Sequence, residues 1–424
     1  MYTLAITNTQ ITTPPSPGAH RLRTMLLPPT TEPAALRLIL ARGLRGFADG
    51  FVSVLLVSYL AGLGFSAFQI GAVVTGTLLG SAALTLVVGL IGHRLHPRGI
   101  LLAATVLMFG TGIGFAGITD FWPLLLVAVA GTLNPSAGDV SVFLPTEQAL
   151  LSEQVASSHR TSLFARYNLA GAFAGAFGAL ESGLPAILAR MNGWDRTSAE
   201  RAGFFLYAAV AVAIAVIYLG LGERAVPAVR PRSVLEHSRS TVLRLSLLFS
   251  LDSFGGGFAV QSLLVLWLFL RFDISAGGAA TIFFAAGLLT ASSQLASAWL
   301  AGRIGLIRTM VFTHVPSSLF LIVAALMPNA PLAIAFLLAR LAISQMDVPA
   351  RQSFVMAVVP PEERAAAASV TNVPRSLAAA LSPLIAGAML SASSFGWPLI
   401  AGGILKLTYD VLLLRQFDHV KPVG

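Results

Sequence analysis

Twelve apolar stretches follow one another between residues 38 and 415. Each is long enough to cross a bilayer as a helix, which takes about 20 residues for a hydrocarbon core ~30 Å thick. The stretches run 38–61, 68–92, 99–118, 122–150, 161–186, 203–222, 242–270, 277–301, 309–327, 330–356, 365–391 and 396–415. Their pattern is helical or uniformly apolar, unlike the ~10-residue alternation of a membrane barrel. Charge is too scarce for a soluble fold: Asp, Glu, Lys and Arg make up 11% of 424 residues, against about 25% in an ordinary soluble domain. Cysteine is absent, so disulfides, a thiol nucleophile and thiolate metal sites are excluded. The start is polar and rich in Pro and Thr, with no short apolar core near Met1, so it does not read as a secretory signal. The expectation is an all-α integral membrane protein with twelve transmembrane helices.

Arg and Lys placement sets the expected orientation, because cytoplasmic loops carry the excess of these residues. With a cytoplasmic N-terminus, 21 of the 27 basic residues fall on the inner side. Four (Arg190, Arg196, Arg201 and Arg271) fall outside, and Arg340 and Lys406 lie within helices. Both termini are therefore expected in the cytoplasm, in a prokaryotic plasma membrane. The net charge of +9 is spread over short loops, not gathered on one face, so nucleic acid is not an expected partner. The expected partners are the bilayer, a small-molecule substrate and protons, with the monomer as the working unit.

The chain repeats itself at half its length. Pro145, Gln148, Val155, Arg160 and Asn168 recur as Pro349, Gln352, Val359, Arg364 and Asn372, offset by 204. Gly50, Phe51, Phe65, Gly71 and Gly80 recur as Gly257, Phe258, Phe272, Gly278 and Gly287, offset by 207. Two pseudo-symmetric six-helix bundles in the same orientation follow, related by an axis along the membrane normal. The expected divisions are a polar tail (1–35), an N-terminal bundle (36–222), a basic linker (223–241), a C-terminal bundle (242–416) and a short tail (417–424).

The loop after the second stretch reads GLIGHRLHPR, and the loop after the eighth closes AWLAGRIGLIR. With the half-chain repeat and the segments SEQVASSHRTSLFARYN and VVPPEERAAAASVTN, the chain resembles the major facilitator superfamily over roughly residues 36–420. Gly89, Arg94 and Arg98 match the family's loop pattern in the first copy, and Arg303, Gly305 and Arg308 match it in the second. The family's acid is replaced by His93 and Gly302. Helix 5 also lacks the Gly-Pro pair frequent in the family's drug antiporters. The resemblance implies alternating access around a central site lined by the first, fourth, seventh and tenth helices.

Charged residues inside apolar stretches point to that site, since each costs about 2.5–3.5 kcal/mol to insert at a helix centre and normally has a partner or a task. Arg42, Arg45 and Asp49 share one face of the first helix, since at 100° per residue Asp49 lies about 20° from Arg42 and about 40° from Arg45. Two readings of Asp49 stand: a proton or cation site held by Arg45, or one half of a static i,i+4 pair. Arg340, Asp347 and Arg351 form a stripe on the tenth helix. The expected cavity set is Arg45, Asp49, Asp139, Asp252, Arg340 and Asp347. The repeat makes Arg351 equivalent to Glu147 and Arg45 equivalent to Asp252, and equivalent positions near the axis can face each other. A Glu147–Arg351 bridge between the halves is thus expected at a cytoplasmic gate, with Arg94, Arg160, Arg303 and Arg364 beside it. Lys406 and Asp410 read as a structural i,i+4 pair, and His314 as a packing residue.

Gly112-x-Gly114-x-x-Gly117 sits within an apolar helix, where small residues serve close packing, so it is no dinucleotide fingerprint. No catalytic triad, Walker loop or metal motif occurs, so neither an enzyme nor a cofactor is expected. The expected function is secondary transport of a small solute, as proton-coupled efflux of an amphipathic compound. The alternatives are uptake or facilitated diffusion of a metabolite or sugar and, from another class, a non-transporting receptor.

Overall fold

The computed structural model describes residues 33–91, 95–135, 142–152, 154, 160–222, 235, 238–360 and 363–418. These residues form helices without a strand among them. In chain order the first bundle contains α1 (Pro33–Gly62), α2 (Ala67–Ile91), α3 (Pro97–Gly117), α4 (Phe121–Ala130), α5 (Phe143–Ser152), α6 (Arg160–Glu181), α7 (Leu184–Asn192) and α8 (Arg196–Leu219). The second contains α9 (Arg239–Gly257), α10 (Gln261–Phe272), α11 (Ala276–Ile304), α12 (Leu306–Leu326), α13 (Ala330–Leu341), α14 (Asp347–Ala357), α15 (Arg364–Ala392) and α16 (Trp397–Phe417). Ten spans are long and apolar enough to cross a membrane, and two shorter apolar helices, α4 and α13, begin the fourth and tenth crossings. The linker expected at 223–241 lies mostly outside the described residues.

The fourth and tenth crossings break, although the sequence reads as continuous stretches at 122–150 and 330–356. The breaks fall at equivalent places, before α5 and before α14. Pro145 and Pro349, equivalent under the repeat, sit in the first turns of those two helices. A proline has no N–H for the carbonyl four residues back and its ring clashes with that carbonyl, so it fits a first turn and ends a helix that would run through it. The seventh crossing breaks after Gly255–Gly257, where the chain leaves helix at Phe258–Val260 before α10.

The sixth crossing begins seven residues before its apolar run, at Arg196. Asp195 caps it by accepting the Ser198 backbone N–H at 2.8 Å. That bond, together with a side-chain hydrogen bond to Ser198, holds the Asp195 carboxyl below the usual aspartate range.

Glycines set how closely helices approach. Gly46 and Gly50 of α1 lie against the Gly171 and Gly175 backbone of α6, with no room for a β-carbon. Gly112 meets the α8 backbone at Phe204, in keeping with a packing role. Residues 48–60 of α1 are all buried, because α1 is covered by α6 and α8 of its own bundle and by α10 and α11 of the other.

The two bundles meet mainly through α2 with α15 and α6 with α11. Gly71 crosses Gly387, where a β-carbon on Gly71 would sit 2.9 Å from the Gly387 Cα. The Phe68 N–H donates to Ser391 Oγ at 2.8 Å, and Gly183 faces Gly277. Ser262 Oγ donates to the carbonyls of Ser53 (2.8 Å) and Pro135 (2.7 Å). These contacts run from mid-helix to the end opposite residues 33 and 418.

Candidate functional site

Each bundle buries a cluster of charge. In the first, Arg45 of α1 places Nη2 2.6 Å from Glu147 Oε2 on α5. The Tyr218 hydroxyl of α8 donates to Glu147 Oε1 at 2.5 Å, and the Tyr167 hydroxyl of α6 donates to Oε2. Arg45 also lies over the Phe143 ring, 4.8 Å from its centroid. Glu147 is wholly buried, and its three donors tie four helices together. Asp49, also buried, shares a hydrogen bond with the Asn134 side chain, within electrostatic reach of Arg42 and Arg45. The expected Arg45–Asp49 pair is therefore replaced by Arg45–Glu147.

In the second bundle the centre is Asp252 of α9. Its Oδ2 is 3.2 Å from Arg351 Nη1 on α14, and its Oδ1 is 2.7 Å from Lys406 Nζ on α16. Arg351 also reaches Asp347, four residues before it, at 3.4 Å, and lies 5.7 Å over the Phe249 ring. His314 of α12 sits 3.3 Å from Asp252 through Nε2 and 2.9 Å from Asp410 through Nδ1. Lys406 Nζ is 3.1 Å from His314 Nε2.

Three expectations are corrected here. Glu147 and Arg351 do not bridge the halves, since each is bound to the acid or base of its own bundle. Lys406 pairs with Asp252 and not with Asp410. His314 is a junction of charge and not a packing residue, with both ring nitrogens facing charged groups.

Arg340, in the last turn of α13, stands apart. It is 9% exposed, yet it has no ion pair or side-chain hydrogen bond among the described residues, and its Nε is buried without a partner. Asp252 is the charge that acts on it. Arg303 is exposed and lies over the Trp299 ring at 4.1 Å. Arg160 and Arg364 open α6 and α15, with side chains outside the described residues. Arg94 and Asp139 lie outside them entirely. Of the expected cavity set, Asp252 and Asp347 come together through Arg351, and Arg340 lies within electrostatic reach of Asp252. Arg45 and Asp49 share the other bundle.

Sequence reasoning passed over Tyr167, Tyr218, His314 and Lys406 as site residues. The signal for the last two was present, since an ionisable group inside an apolar crossing points to function by default. The two tyrosines carry no such signal.

The sequence model described as Major Facilitator Superfamily matches residues 38–346 and 245–423. A Saccharomyces cerevisiae protein named "Uncharacterized membrane protein YJR124C" is 24% identical over 410 residues, 88% of this chain and 92% of that protein. Among solved structures, the nucleoside transporter NupG superposes with a TM-score of 0.69 at 14% identity, covering 92% of this chain and all of that one. The inward-open xylose transporter XylE of E. coli gives 0.70 at 15% identity, covering 92% of this chain and 97% of that one.

Proposed function

The chain belongs to the Major Facilitator Superfamily, and from that premise we propose that it carries a small polar solute across the membrane by alternating access, with Arg340 receiving an anionic or acceptor-rich group of the solute. The observation that carries this reading is the buried Arg340, whose guanidinium has no ion pair among the described residues and whose Nε is buried without a partner there. A charge held inside a membrane protein without a counter-charge is costly, and a solute supplies the missing partner once per cycle. The names of two structural neighbours, a nucleoside and a xylose transporter, agree with a polar cargo.

The contacts between bundles support the cycle. Among the described residues, the contacts cited above lie from mid-helix to the end opposite the termini, and we read the termini-bearing end as the one that opens. Each bundle also closes buried ion pairs of its own, Arg45–Glu147 in one and Asp252–Arg351 and Asp252–Lys406 in the other, and these need not break as the halves rock. The Arg and Lys distribution supports termini in the cytoplasm.

A thermal-shift panel on purified protein tests the reading: uridine, D-xylose, small dicarboxylates and lipophilic cations, on the native chain and on Arg340→Gln. A ligand that binds the folded state alone stabilises it by about 2.7 kcal/mol at 100 times its Kd. Stabilisation by a polar or anionic compound that vanishes in Arg340→Gln is expected. The same shift in both proteins overturns the role of Arg340.

A second reading is proton-coupled efflux of an amphipathic cation, favoured by Asp49, a buried acid on the α1 face that also bears Arg42 and Arg45. Stabilisation by a lipophilic cation that Asp49→Asn abolishes would carry it. In that case Asp49→Asn should end uphill transport while sparing exchange.

A further inference from the structure

The two bundles hold equivalent charge clusters with different capacity to change. Around Glu147, the donors are a guanidinium and two tyrosine hydroxyls, groups that keep their protons across physiological pH. Around Asp252, the corresponding places are taken by Arg351, Lys406 and His314. Histidine is the side chain whose unperturbed titration falls between about pH 5 and 8. Of the two histidines among the described residues, His314 alone lies inside a helix, since His96 precedes α3.

The ring of His314 meets two incompatible demands. Nδ1 faces both oxygens of Asp410, at 2.9 and 3.0 Å, so it carries a proton and donates. Nε2 faces Lys406 Nζ at 3.1 Å and Asp252 Oδ1 at 3.3 Å. Without a proton, Nε2 accepts from the lysine ammonium. With one, it donates to Asp252, and the lysine contact becomes a repulsion. One proton therefore decides whether Lys406 is held by the histidine and Asp252 together or by Asp252 alone. The other helices packed against α12 carry Asp347 and Arg351 on α14, Arg340 on α13 and the exposed Arg303 on α11. The Tyr409 ring of α16 stands edge-on to the imidazole at 5.7 Å.

We propose that His314 is the group that binds and releases the coupling proton, and that it acts by exchanging Lys406 for Asp252 as the partner of its Nε2. The exchange spans α9, α12 and α16, next to Arg351 and Asp347 on the broken tenth crossing, and so it reaches the proposed substrate arginine through Asp252. This assignment rests on the transport reading and moves proton coupling from Asp49 to the second bundle.

The test needs no solute. The chain has no cysteine, so Ala61→Cys and Ala392→Cys, exposed positions at the far ends of α1 and α15, can carry two spin labels. In phosphatidylcholine–phosphatidylglycerol nanodiscs, the distance between them is measured from pH 5 to pH 9. The expected result is two distance populations whose ratio changes with pH in a single-proton transition, a change that His314→Gln removes and Asp49→Asn leaves in place. Asp410→Asn, which keeps the imidazole but removes one carboxylate facing it, should displace the midpoint toward acid pH. This variant decides the matter should His314→Gln fail to fold. A transition that persists in His314→Gln, one that Asp410→Asn leaves unmoved, or no transition at all overturns the proposal. None of these results depends on solute flux, so a failure of the panel with Arg340 counts against the transport reading alone.

Discussion

Arg45 and Asp252 occupy equivalent places in the two bundles, 207 residues apart, and carry opposite charge. Each closes an ion pair with the equivalent partner in its own half: Arg45 with Glu147 at 2.6 Å, Asp252 with Arg351 at 3.2 Å. The inversion extends to the aromatic neighbours. Arg45 lies over Phe143, one turn before Glu147, and Arg351 lies over Phe249, one turn before Asp252. In both bundles the guanidinium rests on a ring next to the acid it pairs with, although the helices that supply base and acid have exchanged roles.

That geometry predicts the outcome of charge swaps. Glu147→Gln leaves Arg45 buried without its partner, and breaking a buried pair costs about 3–5 kcal/mol. Thermal unfolding of the purified protein should register that loss. Combining Arg45→Glu with Glu147→Arg should recover part of it. Combining Glu147→Arg with Arg351→Glu should recover nothing, because those residues do not meet. Recovery in the second double variant would restore the bridge between the halves.

Arg340→Gln should separate stability from function. The substitution removes a buried charge without orphaning a partner, so the unfolding midpoint should hold or rise while stabilisation by the polar or anionic ligand disappears. Stabilising changes that reduce function are a recurrent pattern at sites built for a ligand. A clear fall in the midpoint of the ligand-free protein would mark Arg340 as structural.

Gly71→Val should wedge α2 from α15. A β-carbon at Gly71 falls 2.6 Å from the Pro383 carbonyl oxygen and 2.9 Å from the Gly387 Cα, and overpacking of this kind costs typically 1–3 kcal/mol. The penalty applies to the state in which the far ends touch, so the variant should favour the opposite state. Spin labels at Ala61→Cys and Ala392→Cys would report a longer mean distance, and an unchanged distance would show that the crossing yields.

Asp195 predicts an acid-sensitive helix start. Hydrogen bonds with Ser198 hold its carboxyl below the ordinary range. Its contribution is therefore complete above the unfolded value of about 3.9 and is lost as pH falls through the lower, folded value. Asp195→Asn keeps a capping side chain and should remove that part of the acid dependence, read as amide exchange in the first turn of α8 below about pH 4.

The crossings and the buried charges were legible because an apolar run makes any ionisable residue conspicuous. Asp49, Asp252, Arg340 and Asp347 could be singled out on that ground, and the repeat related Arg45 to Asp252 and Glu147 to Arg351. Their partners could not be read, because partner choice depends on how each helix is turned about its axis. Equivalence under a pseudo-two-fold suggested that Glu147 faces Arg351, whereas packing turned each toward its own bundle. The breaks before α5 and α14 were signalled by Pro145 and Pro349, but an apolar count ignores where a proline falls. His314 was discounted as a packing residue and Lys406 as half of a structural i,i+4 pair, yet both side chains reach Asp252.

The enclosure of α1 has a consequence for how the protein is made. The helix leaves the ribosome before the other described helices, carrying Arg42, Arg45 and Asp49, and residues 48–60 end with no face toward lipid. Its neighbours α6 and α8 are synthesised more than a hundred residues later, and the partner of its Ser53 carbonyl, Ser262, lies beyond the midpoint of the chain. Until then a helix fit only for a protein interior has to wait in the bilayer or in the insertion machinery. Biogenesis of this chain is therefore a problem of holding its first segment, and a chain arrested at residue 222 would retain an α1 whose Ser53 side is still bare.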